Sequence, residues 1–342
     1  MKKMKAAVIG AGGWGTALAV LLADKGCPVS LWMRSAELYR AITLKRSNEK
    51  YLPGVRLEPS IRPTLDLAEA LQDKAVVIFA VPSHGLRTVA AAAAPHFPSR
   101  ALAVNAAKGL EGGRLLRLSQ VLREELPPEA HRRIAVISGP NHAEEVSRKL
   151  PAATVAASAD GETAHRVQEA LMTPYFRVYT NPDLTGVELG GALKNVIALG
   201  AGIAEGLELG DNTRAALVTR GLVEMTRLGI AVGARARTFA GLSGLGDLYA
   251  TCSSRHSRNR EVGFKLGRGL RFGEIAAGMH TVAEGVNTTR AAMELSRRAG
   301  VEMPITSELY QVLFEGKLPR KAVERLMQRE KKAESEEIAF EK

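Results

Sequence analysis

The sequence predicts an α/β domain built on a parallel sheet, followed by an all-helical domain. Two observations carry that prediction. Through the first 180 residues, short β-rich apolar runs recur with room for one helix between them. From Leu184 onward such runs vanish and apolar residues fall at helical spacings instead. The length of 342 residues suits two domains, at about 100–200 residues each. The boundary is placed near Asn181-Pro182, giving a first domain over 1–180, a second over 181–330 and a charged tail over 331–342.

Each element has its own reason. Ala6 to Ile9 is an apolar run that feeds straight into Gly10-x-Gly12-x-x-Gly15, and the helix-forming run Ala17 to Ala23 leaves on the other side. Gly10 permits a tight turn, Gly12 lets backbone approach a pyrophosphate, and Gly15 lets the helix lie close on its strand. The N–H groups that open the helix then face a diphosphate, where the helix dipole favours negative charge. This is the turn of a Rossmann-type dinucleotide-binding unit. Gly26-Cys27-Pro28 breaks the chain, and Val29 to Met33 reads as the second strand. An NAD-preferring site would carry an acid just after it to hold the ribose 2′-hydroxyl. This chain has Arg34-Ser35; an arginine there pairs a 2′-phosphate, so NADP(H) is the preferred cofactor and NAD(H) a possible one. Further strands are expected over 75–81, 101–106, 134–138, 154–158 and 176–180. Ligands of such sheets gather beyond the carboxyl ends of the strands. The polar clusters Pro82-Ser83-His84, Ala107-Lys108-Gly109 and Gly139-Pro140-Asn141-His142-Ala143 stand there.

In the second domain Leu189, Leu193, Val196 and Gly200 form one helical stripe, with Lys194 beside it and Gly190 and Gly191 one turn earlier. Mid-helix glycines cost about 1 kcal/mol each relative to alanine, so packing or access must require them. A lysine rising from so bare a face leaves room for a planar ring and a small substrate. Desolvation would lower its pKa towards neutrality and fit it to protonate a carbonyl oxygen. The same pattern also fits a lysine at a helix edge. Gly241-Leu242-Ser243-Gly244-Leu245-Gly246-Asp247 implies a break in a helical region, where Asp247 is placed to bond a substrate hydroxyl or hold the Lys194 ammonium. The run 251–260 collects hydroxyls, an amide and three arginines, the donors that a phosphate monoester requires.

Bulk properties narrow the classes. The net charge of +11 is spread along the chain and interleaved with acids, which suits small phosphorylated ligands and gives nucleic acid no recognisable module. Two cysteines, Cys27 and Cys252, are too few for a disulfide framework and point to a reducing cytoplasm. The glycine turn interrupts any signal-peptide core, no unbroken apolar run reaches the ~18 residues of a bilayer span, and no set of His, Cys, Asp and Glu has metal-ligand spacing.

Taken in order, Gly10-Ala-Gly-Gly-Trp-Gly-Thr-Ala17, Val81-Pro-Ser-His84, Lys108-Gly-Leu-Glu111, Ser138-Gly-Pro140, Val187-Glu-Leu-Gly-Gly-Ala-Leu-Lys-Asn-Val196, Gly244-Leu-Gly-Asp247 and Ser257-Arg-Asn-Arg260 closely resemble bacterial NAD(P)-dependent sn-glycerol-3-phosphate dehydrogenases. The resemblance runs from Ala7 to about Met327. It implies reversible hydride transfer between NAD(P)H and dihydroxyacetone phosphate, giving sn-glycerol 3-phosphate for phospholipid synthesis. It implies a helical second domain of the 6-phosphogluconate dehydrogenase C-terminal type, a homodimer, and no metal. By resemblance, Lys194 is the acid–base residue, with Lys108 touching cofactor and substrate and Asp247 completing the catalytic set. Gly139, Asn141, Ser257 and Asn259 fall at substrate positions, and Arg258 falls where a guanidinium meets phosphate and cofactor. Gly10, Gly12, Gly13, Trp14, Gly15, Arg34, Tyr51, Ala143, Val282 and Glu284 fall at cofactor positions. One departure is Asn141-His142, where some members carry Thr-Phe; His142 is read as a supporting or exposed residue. Two other classes fit less well: a related β-hydroxyacid dehydrogenase, which has no use for the 257–260 cluster, and an NADP(H)-binding redox sensor, which has no need of Lys194 and Asp247 together.

Overall fold

Among the described residues ten strands form: β1 Ala6–Ile9, β2 Val29–Trp32, β3 Ser47–Asn48, β4 Leu52–Arg56, β5 Ile61–Thr64, β6 Val76–Phe79, β7 Leu102–Asn105, β8 Ile134–Ser138, β9 Ala152–Ala157 and β10 Phe176–Asn181. They belong to a computed structural model that describes residues 4–279, 283–331 and 333–334. Contacts divide the chain into two units. The first holds the residues up to Ala107 together with Leu118–Leu184, and the second holds Lys108–Arg117 together with the residues from Thr185 onward.

Eight strands make one sheet in the order β10-β9-β8-β7-β6-β1-β2-β5. All adjacent pairs are parallel except β8 with β9, so β9 and β10 run opposite to the other six strands. The apolar runs become strands because both faces of the sheet are covered: every residue of β1, β6, β7 and β8 is buried. The carboxyl ends of the six like-directed strands lie along one edge, which collects the glycine turn after β1, Arg34 after β2 and Gly139 after β8. β3 and β4 pair separately as an antiparallel hairpin. That hairpin and β5 lie where the sequence reading expected no strand. β5 carries Pro63, and β4 carries Pro53 and Gly54, which mute the usual strand signal.

The second unit is helical and built around the Leu184–Gly206 helix, nearly all of it buried. This helix is long and apolar enough to cross a membrane, yet its apolar stretch is wholly buried. Its small residues serve close packing. A Cβ on Gly202 would stand 2.0 Å from the Arg260 carbonyl oxygen, and one on Gly263 would stand 2.0 Å from that of Leu199. The Arg258–Gly267 helix therefore lies backbone against backbone on the central helix, which fixes the cluster at its own N-terminus.

A buried carboxylate ties another pair of helices together. Glu224 accepts hydrogen bonds from Ile305 N, from Thr306 N at 3.1 Å and from Thr306 Oγ1 at 2.9 Å. It thereby caps the Pro304–Phe314 helix, whose first N–H groups have no partner of their own. Burial pushes its carboxyl up to about 7, against the pull of those hydrogen bonds. The folded chain then holds this proton at pH values where the unfolded chain has released it. The stability it contributes is complete below about 4.5 and is lost as pH rises towards about 7. The difference in Tm between the native chain and Glu224→Gln is expected to turn against the native chain between pH 5 and pH 8. A pH-independent difference in thermal melts would refute this assignment.

Candidate active site

Asp247 opens the Asp247–Ser253 helix directly after a π-type turn over Leu242–Gly246. The turn presses on the central helix so closely that a Cβ on Gly190 would stand 2.4 Å from the Ser243 carbonyl oxygen. The glycine at 190 is thus required by backbone approach. The open space that the sequence suggested beside Lys194 on this face is filled by the chain itself.

The approach delivers Asp247 to Lys194. Lys194 Nζ donates to Asp247 Oδ1 at 2.5 Å and to Thr251 Oγ1 at 2.7 Å. Lys108 Nζ donates to the other carboxylate oxygen, Oδ2, at 2.8 Å. Thr251 Oγ1 in turn donates to the Asp247 backbone carbonyl at 2.6 Å, one helical turn back. Lys194 and Asp247 are 5% and 2% exposed, so the charges face each other with little water between them. Burial lowers the Lys194 ammonium to about 8 although Asp247 holds it up, and the neighbouring Lys108 charge lowers it further. Burial works to raise the Asp247 carboxyl, but the two ammonium groups more than offset this and hold it below its ordinary value. One carboxylate between two ammonium groups leaves a net positive charge, which suits the site to polarise a carbonyl oxygen and to hand it a proton.

Lys108 reaches this cluster because the Lys108–Arg117 segment is fastened to the central helix. Arg117 pairs with the buried Glu188 at 2.6 Å, Asn195 Nδ2 donates to the Lys108 carbonyl at 3.4 Å, and Leu110 enters the helical core. Asn195 Oδ1 accepts from Asn259 Nδ2, and Asn259 Oδ1 accepts from Gly285 N, both at 2.9 Å. This places Asn259 and the start of the Glu284–Ala299 helix beside the same stretch of the central helix. Ser257 is the N-cap of the Arg258–Gly267 helix, accepting from Arg260 N, and the exposed Arg258 is the first helical residue. Arg260 is engaged with Glu205 at 2.6 Å, so the arginines of this run do not share one role. Val282 lies outside the described residues. Thr251 and Asn195 went unselected in the sequence, although Thr251 follows Asp247 by one helical turn and Asn195 adjoins Lys194.

In the sheet unit, Gly10 takes φ +117°, open to glycine and strained for other residues, and a Cβ on Gly15 would stand 1.9 Å from the Gly10 carbonyl oxygen. A Cβ on Gly12 would meet nothing within 4 Å, so backbone there borders open space. Trp14 Nε1 is buried with no hydrogen-bond partner among the described residues. Exposed Arg34 precedes Ser35, the N-cap of the Ala36–Lys45 helix. Tyr51 is half-buried, with the Lys50 ammonium 5.5 Å from its ring. Asn141 is buried and donates to Thr154 Oγ1 at 2.9 Å, while His142 and Ala143 start a short helix. A bare turn, an unused indole donor and an exposed guanidinium fit a phosphorylated dinucleotide.

Among the described residues no group of three or more His, Cys, Asp and Glu is placed to hold a metal ion. A cavity of about 530 Å³ in the helical unit is walled by residues such as Gly200, Leu217, Glu224, Ile305 and Leu309, and shares none of its wall with Lys194 or Asp247.

The family described as NAD-dependent glycerol-3-phosphate dehydrogenase N-terminus matches residues 5–164, and its C-terminal counterpart matches residues 183–324. The glycerol-3-phosphate dehydrogenase [NAD(P)+] of Pelotomaculum thermopropionicum is 53% identical over 98% of this chain and 96% of its own length. That of Moorella thermoacetica is 54% identical over 98% of both. The crystal structure of glycerol-3-phosphate dehydrogenase from Coxiella burnetii superposes with a TM-score of 0.91 at 37% identity, covering 96% of this chain and 99% of that one.

Proposed function

The chain belongs to the NAD-dependent glycerol-3-phosphate dehydrogenase family, and on that premise we propose which of its residues carry the reaction. It is an NAD(P)-dependent oxidoreductase that interconverts dihydroxyacetone phosphate and sn-glycerol 3-phosphate. The observation that carries our assignment is the buried Lys194–Asp247 pair with Lys108 on the second carboxylate oxygen.

A nicotinamide nucleotide, when bound, would supply or take up the hydride. Gly10, Gly12, Gly13 and Gly15, with Trp14, Arg34, Tyr51 and Ala143, are assigned to hold it in the sheet unit, and Lys108, Arg258 and Glu284 in the helical one. Lys194 donates the proton that the carbonyl oxygen takes up on reduction and recovers it on oxidation. Asp247 keeps Lys194 charged near neutral pH, and Lys108 adds the second positive charge that polarises the carbonyl. Thr251 fixes the direction of the Lys194 ammonium. Arg258, at the positive end of its helix, is assigned to the substrate phosphate with Ser257 and Asn259, and Gly139 and Asn141 to the rest of the substrate. Arg34 favours NADP(H). We place the enzyme in the cytoplasm as a homodimer, supplying glycerol phosphate for lipid synthesis, without membrane insertion or nucleic-acid binding.

The direct test follows NADPH and NADH oxidation with dihydroxyacetone phosphate, using unphosphorylated dihydroxyacetone as the control. Turnover confined to the phosphorylated compound and faster with NADPH is the expected result; equal rates with both carbonyl compounds would remove the phosphate site. Arg258→Ala is expected to raise the KM for dihydroxyacetone phosphate about tenfold or more, the worth of a charge-assisted hydrogen bond, with a much smaller change in kcat. An unchanged KM would take Arg258 out of the phosphate site.

A further inference from the structure

Asn48 lies more than thirty residues from the glycine turn in sequence and carries no chemistry of its own, yet its side chain grips that turn. It is fully buried, on the short strand β3 of the hairpin. Its Nδ2 donates to the Ala11 carbonyl at 2.9 Å and to Thr16 Oγ1 at 2.7 Å. Its Oδ1 accepts from Tyr51 N at 3.3 Å. Ala11 is the middle of Gly10-Ala11-Gly12, and Thr16 lies in the first turn of the Gly13–Asp24 helix. One carboxamide therefore joins the two arms of the phosphate-binding turn to the tip of the hairpin.

The surrounding contacts give this bridge a purpose. Leu52 and Val55 of β4 pack on Ala17, so the hairpin rests on the same helix. A Cβ on Gly13 would stand 2.7 Å from the Tyr51 carbonyl oxygen, so hairpin backbone touches the first helical residue. A buried carbonyl at Ala11 without a donor would bear the desolvation penalty of an unmet acceptor, and the turn would relax to find one. Held by Asn48, that carbonyl has its donor, and the opening N–H groups of the helix are left for a diphosphate.

We infer that Asn48 is a positioning residue for the dinucleotide site, which holds the Gly10–Gly15 turn in its anion-binding shape and sets Tyr51 beside it. The inference rests on the cofactor assignment made above. That assignment is tested first and separately, by NADPH binding to the unaltered protein.

The experiment measures NADPH affinity by calorimetry, and KM and kcat for both substrates, in Asn48→Ala. The expected result is a Kd and KM for NADPH raised about tenfold, the worth of a buried hydrogen bond removed. The KM for dihydroxyacetone phosphate, and kcat at saturating NADPH, should stay within about twofold, since no group of the Lys194 cluster is touched. Unchanged NADPH affinity would overturn the inference. So would a loss spread evenly over both KM values and kcat, which is the mark of general destabilisation. Should Asn48→Ala fail to fold, Thr16→Val keeps the side-chain shape and removes one of the two oxygens that the carboxamide serves. A threefold or so rise in the KM for NADPH alone would then support the inference, at the scale of one weakened hydrogen bond, and no change would overturn it.

Discussion

Lys194→Ala is expected to lower kcat for dihydroxyacetone phosphate reduction by about 10²-fold or more, the usual contribution of a positioned general acid. NADPH affinity should stay near that of the native enzyme, because the glycine turn belongs to a separate unit and keeps its own contacts. The effect is large because nothing nearby replaces the residue. Thr251 is a poor acid at neutral pH, the Cys252 thiol is pushed up to about 12 by burial, and Lys108 already serves the far oxygen of Asp247. The native pH profile follows from the same group. With the ammonium at about 8, reduction should decline as pH rises through that value, because the proton to be donated is lost, while oxidation should gain. A variant that keeps its native rate, measured at saturating cofactor, would remove Lys194 from the chemistry.

Much of this was legible in the sequence because it rests on local physics. Buried strands are written as unbroken apolar runs, and the Gly10–Gly15 turn declares itself by where glycines interrupt such a run. Lys194 is legible as a charged residue set among small ones on an apolar helix. Strand direction is not encoded in apolar character, so the reversal of β9 had no signal. The membership of Lys108–Arg117 in the helical unit is a tertiary fact, made by the Arg117–Glu188 pair and the burial of Leu110. Asn48 could not be read because an asparagine in a turn-rich stretch looks like any other until its partners are known. The glycine at 190 does mark a need for space, but the occupant is the Ser243 backbone and not a ring. A redox sensor without turnover would have no use for the buried Lys194–Asp247 pair with Lys108 beside it, whose desolvation is costly unless the charges act.

Asp247→Ala tests whether that trio works as one unit. Removing the carboxylate leaves the buried Lys194 ammonium and the part-buried Lys108 ammonium without the anion that compensates them. Asp247 is the group that holds the Lys194 ammonium up against burial, so in its absence the Lys194 pKa falls further below about 8. At pH 7.5 the lysine is then largely neutral and cannot donate. Reduction should fall by about 10²-fold, the scale of a lost general acid, and should recover in part as the pH is lowered towards 6. Asp247→Asn keeps an acceptor for Lys194 while losing the charge, so its profile should shift in the same acid direction by less. The deciding measurement is kcat against pH for the native enzyme and both variants. Profiles that decline in parallel, with no acid shift, would mean that Asp247 orients the lysine without controlling its charge. The proton-holding role would then pass to the Thr251 hydroxyl and the helix that carries it.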